Sequence, residues 1–568
     1  MSFRWTFAEP DEEVASRLRD QLGVSGIIAR LLALRGIDNF DVAKDFFRPS
    51  LAKLHDPFLM KDMDKAATRL ALAIKNQEKI VIYGDYDVDG TTATSIMYIF
   101  LKNFGLDVFY YIPHRFKEGY GINADGIVFA KDKGASLIIS VDCGITAVEE
   151  AEIAREMGID LIICDHHNVG PTLPYAVAVL DPKRRDCTYP FDGLSGAGVG
   201  FKLIQGTLAE LGLTPEVAYE FLDLVAISIA SDIVPIRDEN RVLMREGLRW
   251  IQTRPRPGIK ALIELIQLNP KKITTTQIVF SLGPRINAAG RMGDAGVAVD
   301  LMIADNEEEA NAVALELEAI NMQRRSTDTL TMDQAVSFLD ANFQHEKMSS
   351  LVLHDPTWHL GVIGIVASRL VDVYCRPTIM LSTVDGQIKG SARSIKGFNV
   401  YNALKECEDL LVKFGGHEYA AGLTIEETKL EEFRERFDQI AGKLLCQADF
   451  EPELIIDAEL GFNDINRSFW KIMKQFEPYG PTNMAPTFVS KGLSLQGKAT
   501  IVGKGHLKMR LAQNGSAAIE AIGFNMHHHL PALNESSSGT INVAYALEEN
   551  TWRNQTKLQM RLKDIKID

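Results

Sequence analysis

The sequence predicts an α/β protein: a parallel-sheet domain, a long connecting helix, a second α/β domain and a small C-terminal β-barrel or sandwich. Three observations carry this. Between residues 80 and 180, short and continuously apolar runs alternate with helical segments, the mark of a parallel sheet buried on both faces. Residues near 300 to 340 are rich in Glu, Ala, Leu and Gln and contain neither Pro nor Gly, so they read as one long helix. Beyond about residue 455, short alternating runs carry hairpin signals, among them Asn514-Gly515.

Taken in order, residues up to about 75 read as helical and mixed, with no chemistry that can be named. Ile80 to Tyr83 is a β-branched and aromatic strand, followed by GDYDVDG and a helix over 91–104 that ends near Gly105. Further strands are expected at 108–112, 137–141, 161–163 and 176–180. DCGI and the helical TAVEEAEIAREMG follow the second of these, CDHH the third, and DP the fourth. Residues 221–230 form a buried helix that leads into SDIVP. From Ser350 the α/β character returns with LVLHDP, the helical GVIGIVASRLVDVY and PTIML.

A chain of 568 residues has room for three or four domains. With 46% hydrophobic and 24% charged residues it is neither globally disordered nor fibrous. The net charge is 61 − 76 = −15, which votes against a polyanionic ligand, so any nucleic-acid contact requires a local basic groove. The six cysteines form no CxxC and no zinc-finger spacing, which suits a reducing compartment. The N-terminus has no apolar signal segment, and no run approaches the ~20 apolar residues of a membrane span. The expectation is a cytoplasmic protein without membrane contact.

The informative feature is where the acids fall. Asp85, Asp87 and Asp89 follow one predicted strand, Asp142 a second, and Asp165, His166 and His167 a third; Asp232 ends a helix. In open parallel sheets, ligands bind beyond the carboxyl ends of the strands. Crowded carboxylates repel one another, and divalent cations relieve this. Oxygen ligands with imidazole and no thiolate suit manganese or magnesium rather than structural zinc. Taken alone, a DxDxD loop is often a calcium loop or a solvated turn. Here it follows a strand, and the twelfth position from Asp85 is Ile96 instead of Glu. A histidine pair after a strand is more often a cap or core group; the conjunction outweighs its parts. GLSGAGVG lacks the GxGxxG spacing and reads as a tight helix start. His527 to His529 and Lys183-Arg184-Arg185 read as solvated.

YGDYDVDGTTA, VDCGI, CDHH and ASDIVP, in that order, resemble the four motifs of the DHH phosphoesterase superfamily. PHRFKEGYGIN, LGPRINAAGRMGDA, WHLGVIGIVASRL, GSARSIKGF and FGGHEYAAGLTI are similar to the RecJ family of bacterial single-strand-specific DNA exonucleases within it. FEPYGPTNMAPTF, HLKMRL and KLQMRLKDI resemble that family's C-terminal OB-type domain, with GPTNMAP where the family usually has GxGNPxP. The resemblance covers roughly 60–568. It implies an N-terminal segment (1–60), a DHH phosphoesterase domain (61–300), a connecting helix (301–345), a DHH-associated α/β domain (346–452) and an OB-type β-barrel (453–568).

It also implies a hydrolase that degrades single-stranded DNA 5′ to 3′ to 5′-mononucleotides in recombination, recombinational repair and mismatch repair, beside a helicase and single-strand-binding protein. Two divalent ions, Mn2+ or Mg2+, would be held by Asp85, Asp87, Asp89, Asp142, His166 and Asp232, with Asp142 bridging and His167 on the scissile phosphate. Arg115, Ser391 and Arg393 would take the terminal phosphate. Arg285, Asn287, Arg291, Gly415, Gly416 and His417 would contact the strand, and Trp552 is a stacking candidate. Two rivals stand beside this reading: a small-substrate phosphoesterase of the same superfamily, which would lack the OB-type tail, and a catalytically dead scaffold.

Overall fold

A computed structural model of the chain describes residues 3–342, 348–535, 540–552 and 555–567. Two compact units emerge: Leu51–Phe450 forms one, and Met1–Ser50 together with Glu451–Asp568 forms the other.

The first strand, β1 (Arg4–Phe7), belongs to the smaller unit. In the larger unit, β2 (Ile80–Tyr83), β3 (Val108–Tyr111), β4 (Leu137–Val141), β5 (Asp160–Cys164) and β6 (Ala178–Leu180) form an all-parallel sheet. Its order is β3-β2-β4-β5-β6. Every residue of β2 and β4 is buried, because side chains alternate between two cores. Ile80, Ile82, Leu137 and Ile139 pack with helices Val88–Lys102 and Gly196–Glu210 on one face. Val81, Tyr83 and Ile138 pack with Ile127, Ala151 and Ala154 on the other.

Helix Val88–Lys102 starts earlier than the apolar run suggests. The Asp87 carboxylate accepts the Gly90 amide at 3.0 Å and caps the helix, which draws Asp89 into its first turn. The GLSGAGVG stretch is a helix start: Ser195 caps helix Gly196–Glu210. The long helix is Glu307–Asn342.

Beyond it, β7 (Leu351–His354), β8 (Thr378–Val384), β9 (Gln387–Arg393), β10 (Leu411–Gly416) and β11 (Ala420–Ile425) make a mixed sheet in which only β7 and β8 run parallel. Helix Leu360–Tyr374 covers one face through Ile363, Val366 and Leu370. Helix Leu430–Leu444 covers the other through Phe433 and Phe437.

In the smaller unit, β12 (Glu453–Ile456) pairs in parallel with β1. It is followed by β13 (Ala458–Glu459), β14 (Phe488–Leu495), β15 (Thr500–Val502), β16 (His506–Ala512), β17 (Ile519–Gly523), β18 (Ile541–Trp552) and β19 (Gln555–Ile567). The order β14-β18-β19-β17-β16 is closed by a second pairing of β16 with β14, so the unit is a barrel and not a sandwich. Helices Glu12–Leu22, Gly26–Ala33 and Phe40–Phe47 send Leu18, Ile28, Leu31, Leu32 and Ala43 into the same core as Phe488, Tyr545 and Met560. The first fifty residues thus complete the barrel's core, a role their sequence did not announce. The side chain of Trp552 lies outside the described residues. All six cysteines are free thiols. Among the described residues no helix is long and apolar enough to cross a membrane.

Candidate active site

The carboxyl ends of β2, β4 and β5 converge. Asp85 and Asp87 occupy the turn from β2 into its helix, and Asp89 the helix's first turn. The turn is tight: a Cβ on Gly90 would stand 2.5 Å from the Asp85 carbonyl oxygen. Asp142, just past β4, sits in the left-handed region at φ 61°, a conformation that costs free energy for a non-glycine residue. Its amide donates to the Cys164 carbonyl at 2.9 Å. Asp232 caps the C-terminus of helix Leu222–Ser231.

His166 joins these pieces. Its Nε2 lies 3.1 Å from Asp142 Oδ1, 3.5 Å from Asp232 Oδ2 and 3.7 Å from Asp89 Oδ2. Three sets of atoms of metal-ligating type lie within 4.8 Å of one another: Asp85, Asp87 and Asp142; Asp89, His166 and Asp232; and Asp142, His166 and His167.

Burial and mutual repulsion dominate the electrostatics. Burial, then the Asp87 charge, pushes Asp85 well above the usual carboxylate range. Burial and Asp89 do the same to Asp142 and Asp232. Burial and Asp87 raise Asp89 to about 6, against the pull of three donors. These are the amides of Gly196 (2.6 Å) and Ala197 (2.8 Å) at a helix N-terminus and the Ser228 hydroxyl (2.7 Å). Burial, then the His167 charge, lowers His166 to about 3, so it is a neutral ligand-type imidazole. Asp85 Oδ1 is buried with no hydrogen-bond partner among the described residues. A crowd of buried oxygens with one imidazole and no thiolate fits hard divalent cations.

His167 is held differently. Its Nδ1 lies 2.7 Å from Asp165 Oδ1, and Asp165 also accepts the amides of His166 (2.7 Å), His167 (3.1 Å) and Ile145 (2.8 Å). Burial pulls the imidazole down, but the Asp165 hydrogen bond and charge outweigh it and raise His167 to about 9. The Tyr120 hydroxyl donates to the Asp142 carbonyl at 3.2 Å and stands 3.2 Å from His167 Nδ1.

A cleft of about 530 Å³ adjoins the turn, lined by Tyr86, Arg115, Arg291, Ser391, Arg393, Gly415 and Gly416 among others. Arg115 stacks on the Tyr86 ring at 4.8 Å. Burial, then the charges of Arg115, Arg393 and Arg324, lower Arg291 to about 9. Arg393 is lowered by burial and by Arg115, and its Nη1 donates to Ser391 Oγ at 2.8 Å. None of Arg115, Arg291 and Arg393 forms a salt bridge with a carboxylate among the described residues. Unmatched, mutually repelling guanidiniums make a site for an anion.

Residues 79–229 match the DHH family N-terminal domain, 341–443 the DHHA1 domain and 456–564 the RecJ OB domain. The single-stranded-DNA-specific exonuclease RecJ of Bacillus subtilis (strain 168) is 39% identical over 567 residues, 99% of this chain and 71% of that protein. The chain belongs to the RecJ family of single-stranded-DNA-specific exonucleases. The crystal structure of RecJ in complex with Mn2+ from Thermus thermophilus matches all of this chain and 79% of that one, with a TM-score of 0.83 and 28% identity. The complex of RecJ with Mg2+ from the same organism matches with a TM-score of 0.77 and 27% identity.

Within this RecJ-family chain the structure brings Asp85, Asp87, Asp89, Asp142, His166, His167 and Asp232 together. It groups Arg115, Arg291, Ser391, Arg393, Gly415 and Gly416 in the adjoining cleft. His417 lines a second cavity of about 300 Å³ with Tyr120, Asp165 and His167. Asn287 Oδ1 is buried without a partner among the described residues. Arg285 is paired: its guanidinium forks onto Glu318 of the long helix (2.6 and 3.1 Å). Sequence reading missed four participants: Asp165 as the brace of His167, Tyr120, the Gly196 and Ala197 amides that hold Asp89, and Arg324. Arg324 lies on the long helix, its Nε buried and unpartnered among the described residues. The CDHH and GYG motifs contain the first two and GLSGAGVG marks the helix start that carries the two amides, though not that it abuts Asp89; nothing local marks Arg324.

Proposed function

We propose that this chain hydrolyses single-stranded DNA as an exonuclease, working 5′ to 3′ and releasing 5′-mononucleotides with two divalent ions. The supporting observation is the juxtaposition of a buried carboxylate–imidazole cluster with an adjoining cleft of unmatched arginines: a centre for phosphodiester cleavage beside a grip for a terminal phosphate.

Asp85, Asp87, Asp89, Asp142, His166 and Asp232 would hold Mn2+ or Mg2+. Held there, such ions would supply a lowered pKa for an attacking water and an offset to charge developing on the phosphate. The Gly196 and Ala197 amides and Ser228 hold the Asp89 carboxylate in one orientation. With Nδ1 on Asp165, His167 carries its other proton at Nε2, for a phosphate oxygen or the departing 3′ oxygen. Arg115, Arg291, Ser391 and Arg393, with the amides of Gly415 and Gly416, take the terminal 5′-phosphate, and the His417 ring, in the cavity beside His167, takes a phosphate or sugar of the strand. Asn287 contacts the strand nearby. The barrel supplies sequence-blind stacking on single strands. In the cell this activity belongs to recombination, recombinational repair and mismatch repair in the cytoplasm, beside a helicase and single-strand-binding protein.

The test incubates wild type and Asp142→Ala with Mn2+ and end-labelled single-stranded or duplex DNA. The wild type alone should release 5′-mononucleotides, and from the single strand only. If neither protein degrades a strand that wild type binds, the scaffold reading replaces this one.

A further inference from the structure

The edge strand β6 runs into Asp181, Pro182 and Lys183, which no role above uses. β6 pairs with β5, Leu180 opposite Cys164, and the Asp165 amide donates to the Leu180 carbonyl at 2.9 Å. Lys183 therefore follows the strand beside the one that delivers His166 and His167, one strand spacing of about 4.8 Å away.

Its backbone is anchored on both sides. The Lys183 amide donates to Asp181 Oδ1 at 2.7 Å. Buried Arg184 is pinned to the Val179 carbonyl (2.6 Å), to Asp62 (2.6 Å) and to both oxygens of Asp186 (3.0 and 2.8 Å). The Lys183 side chain is the opposite, exposed and without a hydrogen-bond or ion-pair partner among the described residues. An anchored stem with a free cationic head beside the cluster is what a phosphate contact requires.

The order β3-β2-β4-β5-β6 puts Arg115 beyond one edge strand, Lys183 beyond the other, and the carboxylates between. A strand whose terminal phosphate lies among the arginines and whose scissile phosphate lies on the carboxylates continues towards Lys183. We propose that Lys183 binds the phosphate immediately 3′ of the scissile one. This rests on the 5′ to 3′ reading above.

The test uses the full chain with Mn2+ and two 5′-phosphorylated substrates. A dinucleotide holds only the terminal and scissile phosphates; a trinucleotide adds the one in question. With Lys183→Gln, kcat/KM on the trinucleotide should fall roughly five- to tenfold. On the dinucleotide it should match wild type, and Lys183→Arg should restore most of the loss. On long strands the slope of log kcat/KM against log salt should become shallower by about 0.7, the contribution of one single-strand phosphate. An equal loss on both substrates would place the ammonium on the scissile phosphate, and no loss on either would make it a solvated lysine; each overturns the proposal alone. A wild type that degrades neither these substrates nor long strands overturns the exonuclease reading, and this proposal with it; where only long strands are degraded, an unchanged salt slope in Lys183→Gln overturns this proposal alone.

Discussion

At Asp165 four donors converge: the amides of Ile145, His166 and His167 and the His167 ring. These bonds leave the carboxylate little capacity for a cation and commit it to orienting one imidazole. Replacing Asp165 by Asn removes the charge and the preferred tautomer of His167. We expect kcat to fall about 100-fold, with Mn2+ binding retained by calorimetry. Asp142 is the converse case, buried among like charges and held at a left-handed φ. Asp142→Asn should make the metal-free protein more stable by about 1 kcal/mol, since repulsion is relieved, and should abolish activity. Thermal melts with and without Mn2+ check this; loss of stability in the metal-free variant would contradict it. Arg393→Ala should erase any preference for phosphorylated over unphosphorylated 5′ ends, read by competing the two substrates.

The element that decides the site's geometry is the N-terminus of helix Gly196–Glu210. Its first two amides hold Asp89, and a Cβ on Gly196 would come within 2.6 Å of the Asp142 Cβ. Gly196→Ala must therefore displace either helix or strand end. It should cost about 1–3 kcal/mol of stability and weaken Mn2+ binding in titration. Sequence alone made the glycines legible as a helix start, but not what the start abuts. The same limit holds elsewhere. Acids just past β2, β4 and β5 were legible because strand ends in a parallel sheet share one edge and because the motifs are long. The pairing of Arg285 with Glu318 was not, because 33 residues of chain separate the partners. Nor was Arg324, which lies in a polar helix with no motif around it.

At the scale of the whole molecule, the first fifty residues fold with the last part of the chain. Leu18, Ile28, Leu31 and Leu32 are fully buried in the barrel's core. Each such burial is worth about 1.5–3 kcal/mol, so together they rival a typical domain's net stability. Deleting residues 1–50 should lower the melting temperature of the barrel unit or unfold it, while the unit Leu51–Phe450 keeps its own transition in calorimetry. Adding Mn2+ should raise that second transition, because a cation that binds only the folded carboxylate cluster stabilises it by mass action. The parallel pairing of β1 with β12 joins distant parts of the chain. A ribosome delivers the former hundreds of residues before the latter. The opening helices must therefore wait, apolar faces uncovered, while Leu51–Phe450 is synthesised, and any product cut short before Glu451 leaves them with no core to enter.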